Sequence, residues 1–181
     1  ETSDKPWKLS VRMPGWCQNM NTRVNGMDAN PSFQKGYMII ERPWEAGDVV
    51  EVDFAMLPFF VEPDPRVDSV RGCVAFQPGP IVYCLEEHDQ PQGANLMDVN
   101  IDPSEELMSH WQNELLGGVM TLEGTGYQTD RSHWAEHGLY RPLTLENGKQ
   151  HVEQKLKLTA IPYYAWGNRG LKSMRVWIPH R

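Results

Sequence analysis

Hydrophobic and polar positions alternate in short runs along this chain, and Pro, Gly and Asn break the runs every few residues. Residues 7–13 alternate around Leu9 and Val11 and stop at Pro14-Gly15. Thr22-Arg23-Val24 leads into Asn25-Gly26, a dipeptide suited to the tight turn of a hairpin. Residues 36–41 form a further run before Gly47-Asp48. Val50, Val52, Phe54 and Met56 then share one face, with Glu51 and Asp53 on the other, as period two requires of a half-buried strand. Further on, Gly72-Cys73-Val74-Ala75-Phe76 and Ile81-Val82-Tyr83-Cys84-Leu85-Glu86 flank Gln77-Pro78-Gly79-Pro80, which predicts a buried hairpin. Residues 96–101, 118–123, 139–145, 152–161 and 171–178 read as strands, and 124–138 as polar and irregular. In the last strand Met174, Val176 and Ile178 alternate with Arg175 and Trp177, after an Asn168-Arg169-Gly170 turn in which Gly170 supplies left-handed backbone. Residues 102–116 carry two signals. Asp102, Pro103 and Glu105-Glu106 suit a helix start, and Leu107, Trp111 and Leu115 sit at helical spacing.

Many short strands with regular turns and no 20–50-residue repeat predict an all-β protein, an antiparallel β-sandwich or jelly-roll-like fold. The proline cluster Pro58, Pro63, Pro65 marks a boundary, giving two modules, 1–66 and 67–181. The first offers only about four strands, fewer than a complete sandwich holds. It is therefore expected to be a half-sandwich with an exposed apolar face.

With 181 residues, 40% of them hydrophobic, the chain can bury a core. Its net charge of −7 and scattered Lys and Arg give no basic footprint for nucleic acid or an anionic membrane. No apolar run approaches the roughly 20 residues of a membrane-spanning helix. The polar start, without initiator Met or apolar leader, reads as a chain entered midway. Three cysteines, Cys17, Cys73 and Cys84, are too few and too scattered for a disulfide framework. Cys73 and Cys84 flank the Pro-Gly-Pro turn almost symmetrically, so a bridge there stands as the alternative to reduced, partly buried thiols.

Candidate chemistry is sparse. His133-Trp134-Ala135-Glu136-His137 matches H-x-x-E-H, which binds zinc when a helix sets both imidazoles on one face. Gly138 and the missing helical stripe favour a surface loop carrying two histidines by chance. Glu86-Glu87 and Glu105-Glu106 are carboxylate pairs, but neighbours on a strand point to opposite faces. Solvated charge is the plainer reading, with Glu86 beside a buried strand as a possible interface residue. Among seven tryptophans, Trp44, Trp166 and Trp177 lie in β context. Most tryptophans in small sandwiches fill the core. Aromatic faces also stack on sugars, and Tyr163, Tyr164 and Trp166 with Asn168 and Arg169 are the best surface candidates for carbohydrate binding or an interface.

The run Pro162-Tyr163-Tyr164-Ala165-Trp166-Gly167-Asn168-Arg169-Gly170, followed by Met174-Arg175-Val176-Trp177-Ile178, resembles the carboxy-terminal signature of the β-L-arabinofuranosidase-type glycoside hydrolases, family 127 with sister family 146. The resemblance extends through Leu9-Ser10-Val11-Arg12-Met13-Pro14-Gly15-Trp16, Val24-Asn25-Gly26, Gly79-Pro80-Ile81-Val82-Tyr83-Cys84-Leu85-Glu86 and Leu115-Leu116-Gly117-Gly118-Val119. It implies β-sandwich modules that follow a helical (α/α)6 catalytic barrel, and extended structure over residues 102–116, ahead of the Leu-Leu-Gly-Gly-Val run, where a strand is therefore the preferred reading against the helical signals. In the family a zinc ion held by three cysteines and a glutamate serves the catalysis. Cys17, Cys73 and Cys84 do not map onto that ligand motif, so no catalytic and no metal residue is carried over. The resemblance thus implies a non-catalytic C-terminal segment. Its implied partners are the helical catalytic domain of the same parent chain, a second copy in a homodimer, and a plant-derived, arabinose-containing glycan. An autonomous carbohydrate-binding module is the competing reading.

Overall fold

The computed structural model describes residues 3–134, 138–142 and 153–181. The chain divides into two compact units, Glu1–Leu57 and Pro58–Arg181, and its sheets are antiparallel throughout. The division falls ahead of the one expected at 66/67. The physical reason is the strand Pro58–Val61, which pairs with Cys73–Pro78 and so belongs to the second unit.

The first unit has six strands: β1 Ser3–Arg12, β2 Met20–Val24, β3 Met27–Asp28, β4 Ser32–Gln34, β5 Tyr37–Trp44 and β6 Val50–Phe54. They form two three-stranded sheets, ordered β1-β5-β4 and β3-β2-β6. Alternation sets the faces: along β5 Met38, Ile40 and Trp44 are buried while Tyr37 and Glu41 are exposed. Val24, Met38, Ile40 and Trp44 form one core with Leu9, Val11, Met20, Val50 and Val52. Both sheets contribute to this core, in which Leu9, Val11, Met20, Val50 and Val52 are only partly buried, while Trp7, Phe33 and Leu57 are exposed. The strands absent from the sequence reading are β3 and β4, only two and three residues long, too short for periodicity to register. Asn25 and Gly26 take the left-handed φ values of 54° and 75° in the β2–β3 turn, as Asn-Gly predicts.

In the second unit β7 Pro58–Val61, β8 Cys73–Pro78 and β15 Ile178–Pro179 form a three-stranded sheet ordered β15-β8-β7. Facing it is a six-stranded sheet. This comprises β9 Tyr83–Glu86, β10 Val99–Ile101, β11 Met108–Gln112, β12 Val119–Thr129, β13 Glu153–Pro162 and β14 Met174–Arg175. Its order is β10-β12-β13-β9-β14, with β11 also paired to β12. Val74, Phe76, Tyr83, Leu85, Val99, Ile101, Leu122, Leu158 and Ile178 from both sheets make one core. Inside it the Tyr83 hydroxyl donates to the Met120 carbonyl at 2.8 Å, and burial pushes the phenol up to about 12.

Several local expectations change. The buried runs around Pro78-Gly79-Pro80 do not pair as a hairpin, because β8 and β9 belong to opposite sheets. All three cysteines are free thiols, so Cys73 and Cys84 are not bridged. Residues 171–178 are not one strand either. β14 pairs with β9 and β15 with β8, so the chain passes from one sheet to the other at Val176-Trp177. Arg175 ties down that crossing: Nε donates to the Trp177 carbonyl at 2.9 Å and Nη1 to the Leu96 carbonyl at 2.8 Å. Residues 96–101 begin as a 3₁₀ turn, Leu96–Asp98, before β10. Residues 102–116 contain β11 and no helix. Asp102 accepts from the Ser104 N–H at 3.0 Å in a local turn instead of capping a helix. Residues 139–142 are not a strand, and 143–145 lie outside the described residues.

Candidate functional site

Strand β13 ends at Pro162, whose extended backbone turns the chain off the sheet into a 3₁₀ turn, Tyr163–Ala165. The turn 166–169 follows, with Gly167 at φ +79° and Gly170 at φ +101°. Both glycines occupy backbone that side-chain-bearing residues rarely adopt. The loop is fixed from beneath. Arg169 grips Asp89 with both terminal nitrogens, Nη1 to Oδ1 and Nη2 to Oδ2, each at 2.6 Å. The same Nη2 reaches Glu86 Oε2 at 2.5 Å. Glu86 has no exposed surface and accepts a second bond, at 3.4 Å, from the Gly167 N–H. The fork geometry of arginine suits such bidentate pairing. Asp89, then burial acting in the opposite sense, then Glu86 set the guanidinium's pKa, and the net effect holds it above its ordinary value.

Neighbouring groups complete the anchor. The Asn168 amide donates to the Ala165 carbonyl at 2.9 Å and closes its own turn. The Tyr163 N–H donates to the Val82 carbonyl at 2.9 Å. Gln90 donates to the carbonyls of Glu86 and Thr159, each at 2.8 Å, and so ties the 3₁₀ turn Glu87–Asp89 to β13. Cys84, Ile161 and Ala165 form a small core under the loop, with Leu115, Met174 and Val176 against it.

Above this anchor the aromatics face outward. Tyr163, Tyr164 and Trp166 are 47%, 72% and 37% exposed. The rings of Tyr163 and Trp166 lie 6.1 Å apart, inclined by 19°. Beside them Val82, Tyr163, Met174, Arg175, Val176 and Trp177 line an open groove of about 580 Å³. Of the five residues singled out from sequence, the structure thus gathers all into one loop and divides their roles. Tyr163, Tyr164 and Trp166 form a surface, whereas Asn168 and Arg169 hold the loop's own shape. Asp89 was missed, since it lies in the polar stretch Glu86 to Gln92, where nothing in the local sequence sets it apart. The groove-lining Val82, Met174 and Val176 were missed because they read as ordinary strand positions. Glu86 is a buried partner of Arg169 and not solvated charge; the apolar run Ile81 to Leu85 before it was the available signal.

The other sequence candidates do not assemble a site. Among the described residues no group of three or more His, Cys, Asp or Glu side chains is placed to hold a metal ion. Burial, with Glu86 and Asp89 adding to it, pushes the Cys84 thiol up to about 12. A zinc ligand needs the opposite, a readily formed thiolate. Ser132–Trp134 is a 3₁₀ turn, and residues 135–137, which hold the rest of His133-x-x-Glu136-His137, lie outside the described residues. Glu105 accepts from the Tyr127 hydroxyl at 2.8 Å, which together with Lys155 lowers its pKa. Trp44 is a core residue, 7% exposed.

Residues 58–179 match the glycoside hydrolase family 127 C-terminal domain, and residues 1–56 match the beta-L-arabinofuranosidase GH127 middle domain. The chain is 32% identical, over 97% of its length, to a non-reducing end beta-L-arabinofuranosidase of Bifidobacterium longum, of which it spans 26%. The crystal structure of a GH127 beta-L-arabinofuranosidase from Geobacillus stearothermophilus is similar at a TM-score of 0.80 and 36% identity. That similarity covers 98% of this chain and 27% of that one. A second solved structure, a glycoside hydrolase, gives a TM-score of 0.82 at 32% identity, covering 97% of this chain and 28% of its own. The chain thus spans about a quarter of the length of the relatives it matches.

Proposed function

The chain belongs to glycoside hydrolase family 127, and from that membership we propose that it serves as the non-catalytic β-sandwich part of a β-L-arabinofuranosidase-like enzyme. Its role is to support a helical catalytic barrel and to add oligomer contacts. One observation carries the reading. The middle-domain and C-terminal-domain matches meet at residues 56 and 58 and account for nearly the whole chain, while the relatives are almost four times as long. The bond-breaking groups, and any zinc they use, then belong to the parent's remaining residues. The parent's reaction is retaining hydrolysis of terminal L-arabinofuranosides. The charges beneath the terminal loop support the structural role, because Glu86 and Asp89 are engaged by Arg169.

The test compares two samples on a chromogenic β-L-arabinofuranoside: the 181-residue chain and the intact polypeptide of its reading frame. The intact polypeptide is expected to turn over substrate and the chain alone to do nothing. Zinc-dependent turnover by the chain alone would overturn the reading. A second reading, a carbohydrate-binding module, is favoured by the near-parallel exposed rings of Tyr163 and Trp166, which suit stacking on a sugar face. Titration calorimetry with arabinose oligosaccharides decides it. Heat of binding lost in Trp166→Ala selects the module, and no heat selects the scaffold.

A further inference from the structure

The open groove beside the terminal loop, about 580 Å³ in volume, has no assigned occupant. Its lining is mostly carbon: Val82, Tyr163, Met174, Val176 and Trp177, with Arg175 as the one charged residue. Two of the Arg175 nitrogens are already bound to the carbonyls of Trp177 and Leu96. A sugar site needs several convergent polar groups around its apolar floor, and this groove presents few. An apolar stretch of protein needs none of them.

Size and rigidity narrow the occupant further. Six lining residues fall well short of the roughly 20–30 a side found in a freestanding protein–protein interface. A contact that small holds when the partner is tethered, because a linker supplies an effective concentration on the order of millimolar. The family provides such a partner, since this chain spans only 26% of its curated relative and 27% of a solved one. The groove is also preformed. Tyr163 leaves the sheet at Pro162 and its N–H is bonded to Val82, and the loop behind it is held by Arg169 on Glu86 and Asp89. A wall fixed during folding loses little further freedom on binding.

We propose that this groove receives an apolar segment from the rest of a family 127 polypeptide, in the same chain. Its rim is the Tyr163–Trp166 stack, and Arg169 is the positioning residue that keeps the rim in shape. The proposal rests on the scaffold reading given above and names the surface through which it acts.

Hydroxyl-radical footprinting tests it without a substitution that might unfold the chain. The 181-residue chain and the intact polypeptide of its reading frame receive the same radical dose. Tyr163, Met174 and Trp177 are expected to oxidise severalfold more slowly in the intact polypeptide, with Met97, 70% exposed, as the reference. Equal reactivity in both samples overturns the proposal. So does protection in the isolated chain that grows with its concentration, which would assign the groove to a second copy. Protection of the isolated chain by added arabinose oligosaccharide would assign it to sugar and also overturns the proposal. Assaying the intact polypeptide for arabinofuranoside hydrolysis separates the two layers. An active polypeptide with a reactive groove refutes the docking surface alone. An inactive polypeptide with a protected groove supports the surface and refutes the hydrolase reading. A reading frame that adds no further domain refutes both.

Discussion

Arg169 shows how a residue that looks like a surface ligand can be a structural pin. It follows the aromatic run Tyr163 to Trp166 and precedes Gly170, so local sequence places it in an exposed turn. Its partners, Glu86 and Asp89, lie across more than half of the second unit in sequence, and no periodicity links them. Removing one partner of a buried ion pair leaves the other charge stranded, at about 3–5 kcal/mol. With 23% of the Arg169 side chain still solvated, the low end applies. Arg169→Met is expected to destabilise the second unit by about 3 kcal/mol in urea denaturation. Arg169→Lys should recover little, because an ammonium cannot reproduce the two-pronged grip. The triple change Glu86→Leu, Asp89→Leu, Arg169→Met should restore much of the loss, since well-packed apolar groups can replace buried ions. If Arg169→Met alone denatures like the unaltered chain, the charges do not hold the loop. A second residue-scale link is Asp48, which accepts from the Asn25 amide at 2.7 Å and the Glu45 N–H at 2.9 Å. The Asn25 bond and then that of Glu45 lower its pKa, burial opposes them, and Arg42 adds the smallest lowering. A depressed native pKa contributes stability that is complete above the unfolded value of about 4 and is lost as pH falls through the lower native value. Below about pH 4 the first unit should therefore lose stability more steeply in the unaltered chain than in Asp48→Asn. Following the Asn25 side-chain amide by NMR against pH checks this, and identical pH profiles would refute it.

At the scale of the element, β12 is instructive because half of it was read as irregular. Gly-Thr-Gly at 124–126 looks like a break, yet the strand runs unbroken from Val119 to Thr129. The glycines are there for the neighbours. A Cβ at Gly126 would lie 2.3 Å from Leu158 Cδ1 and 2.7 Å from Leu158 Cγ, inside the core. A Cβ at Gly124 would meet only Leu107 Cδ2, at 2.9 Å, the mobile end of a partly buried side chain. Gly126→Ala is expected to cost about 2 kcal/mol by overpacking. Gly124→Ala should cost about 1 kcal/mol or less, partly offset by the reduced freedom of the unfolded chain. Thermal or urea denaturation of the two variants checks the order, and equal effects would mean that Leu158 gives way freely. Legibility follows the same division. The alternation of β6 and the Asn25-Gly26 turn could be read from sequence because their causes are local. The crossing at Val176-Trp177 and the placing of β8 and β9 in opposite sheets could not. A run buried on both faces carries no alternation to say which sheet it joins. Likewise the terminal aromatics were legible as a surface, but the groove was not, because Val82, just ahead of β9, and Met174, in β14, lie far apart in the sequence.

For the whole molecule, the placing of β7 decides where one unit ends and the next begins. The proline cluster suggested 66/67, yet Phe60 pairs in register with Phe76 and their rings lie 5.5 Å apart. Phe60 also packs on the core of the second unit. Strand β8 is central only while β7 flanks it. Without β7 the small sheet has two strands, fewer than the three that independent stability generally needs. A fragment of residues 58–181 is therefore expected to fold cooperatively, because its two sheets enclose their own core. A fragment of residues 67–181 should be less stable by at least about 3 kcal/mol, the lower range for losing a packed phenylalanine. It also leaves the β8 backbone unpaired along one edge, a template for association. Urea denaturation by far-ultraviolet circular dichroism, with sedimentation to detect aggregation, compares them directly. Coincident transitions from two monomeric fragments would show that β7 is dispensable and would return the boundary to the proline cluster. A cooperative 58–181 fragment would in turn allow the terminal loop and its groove to be studied apart from the first unit.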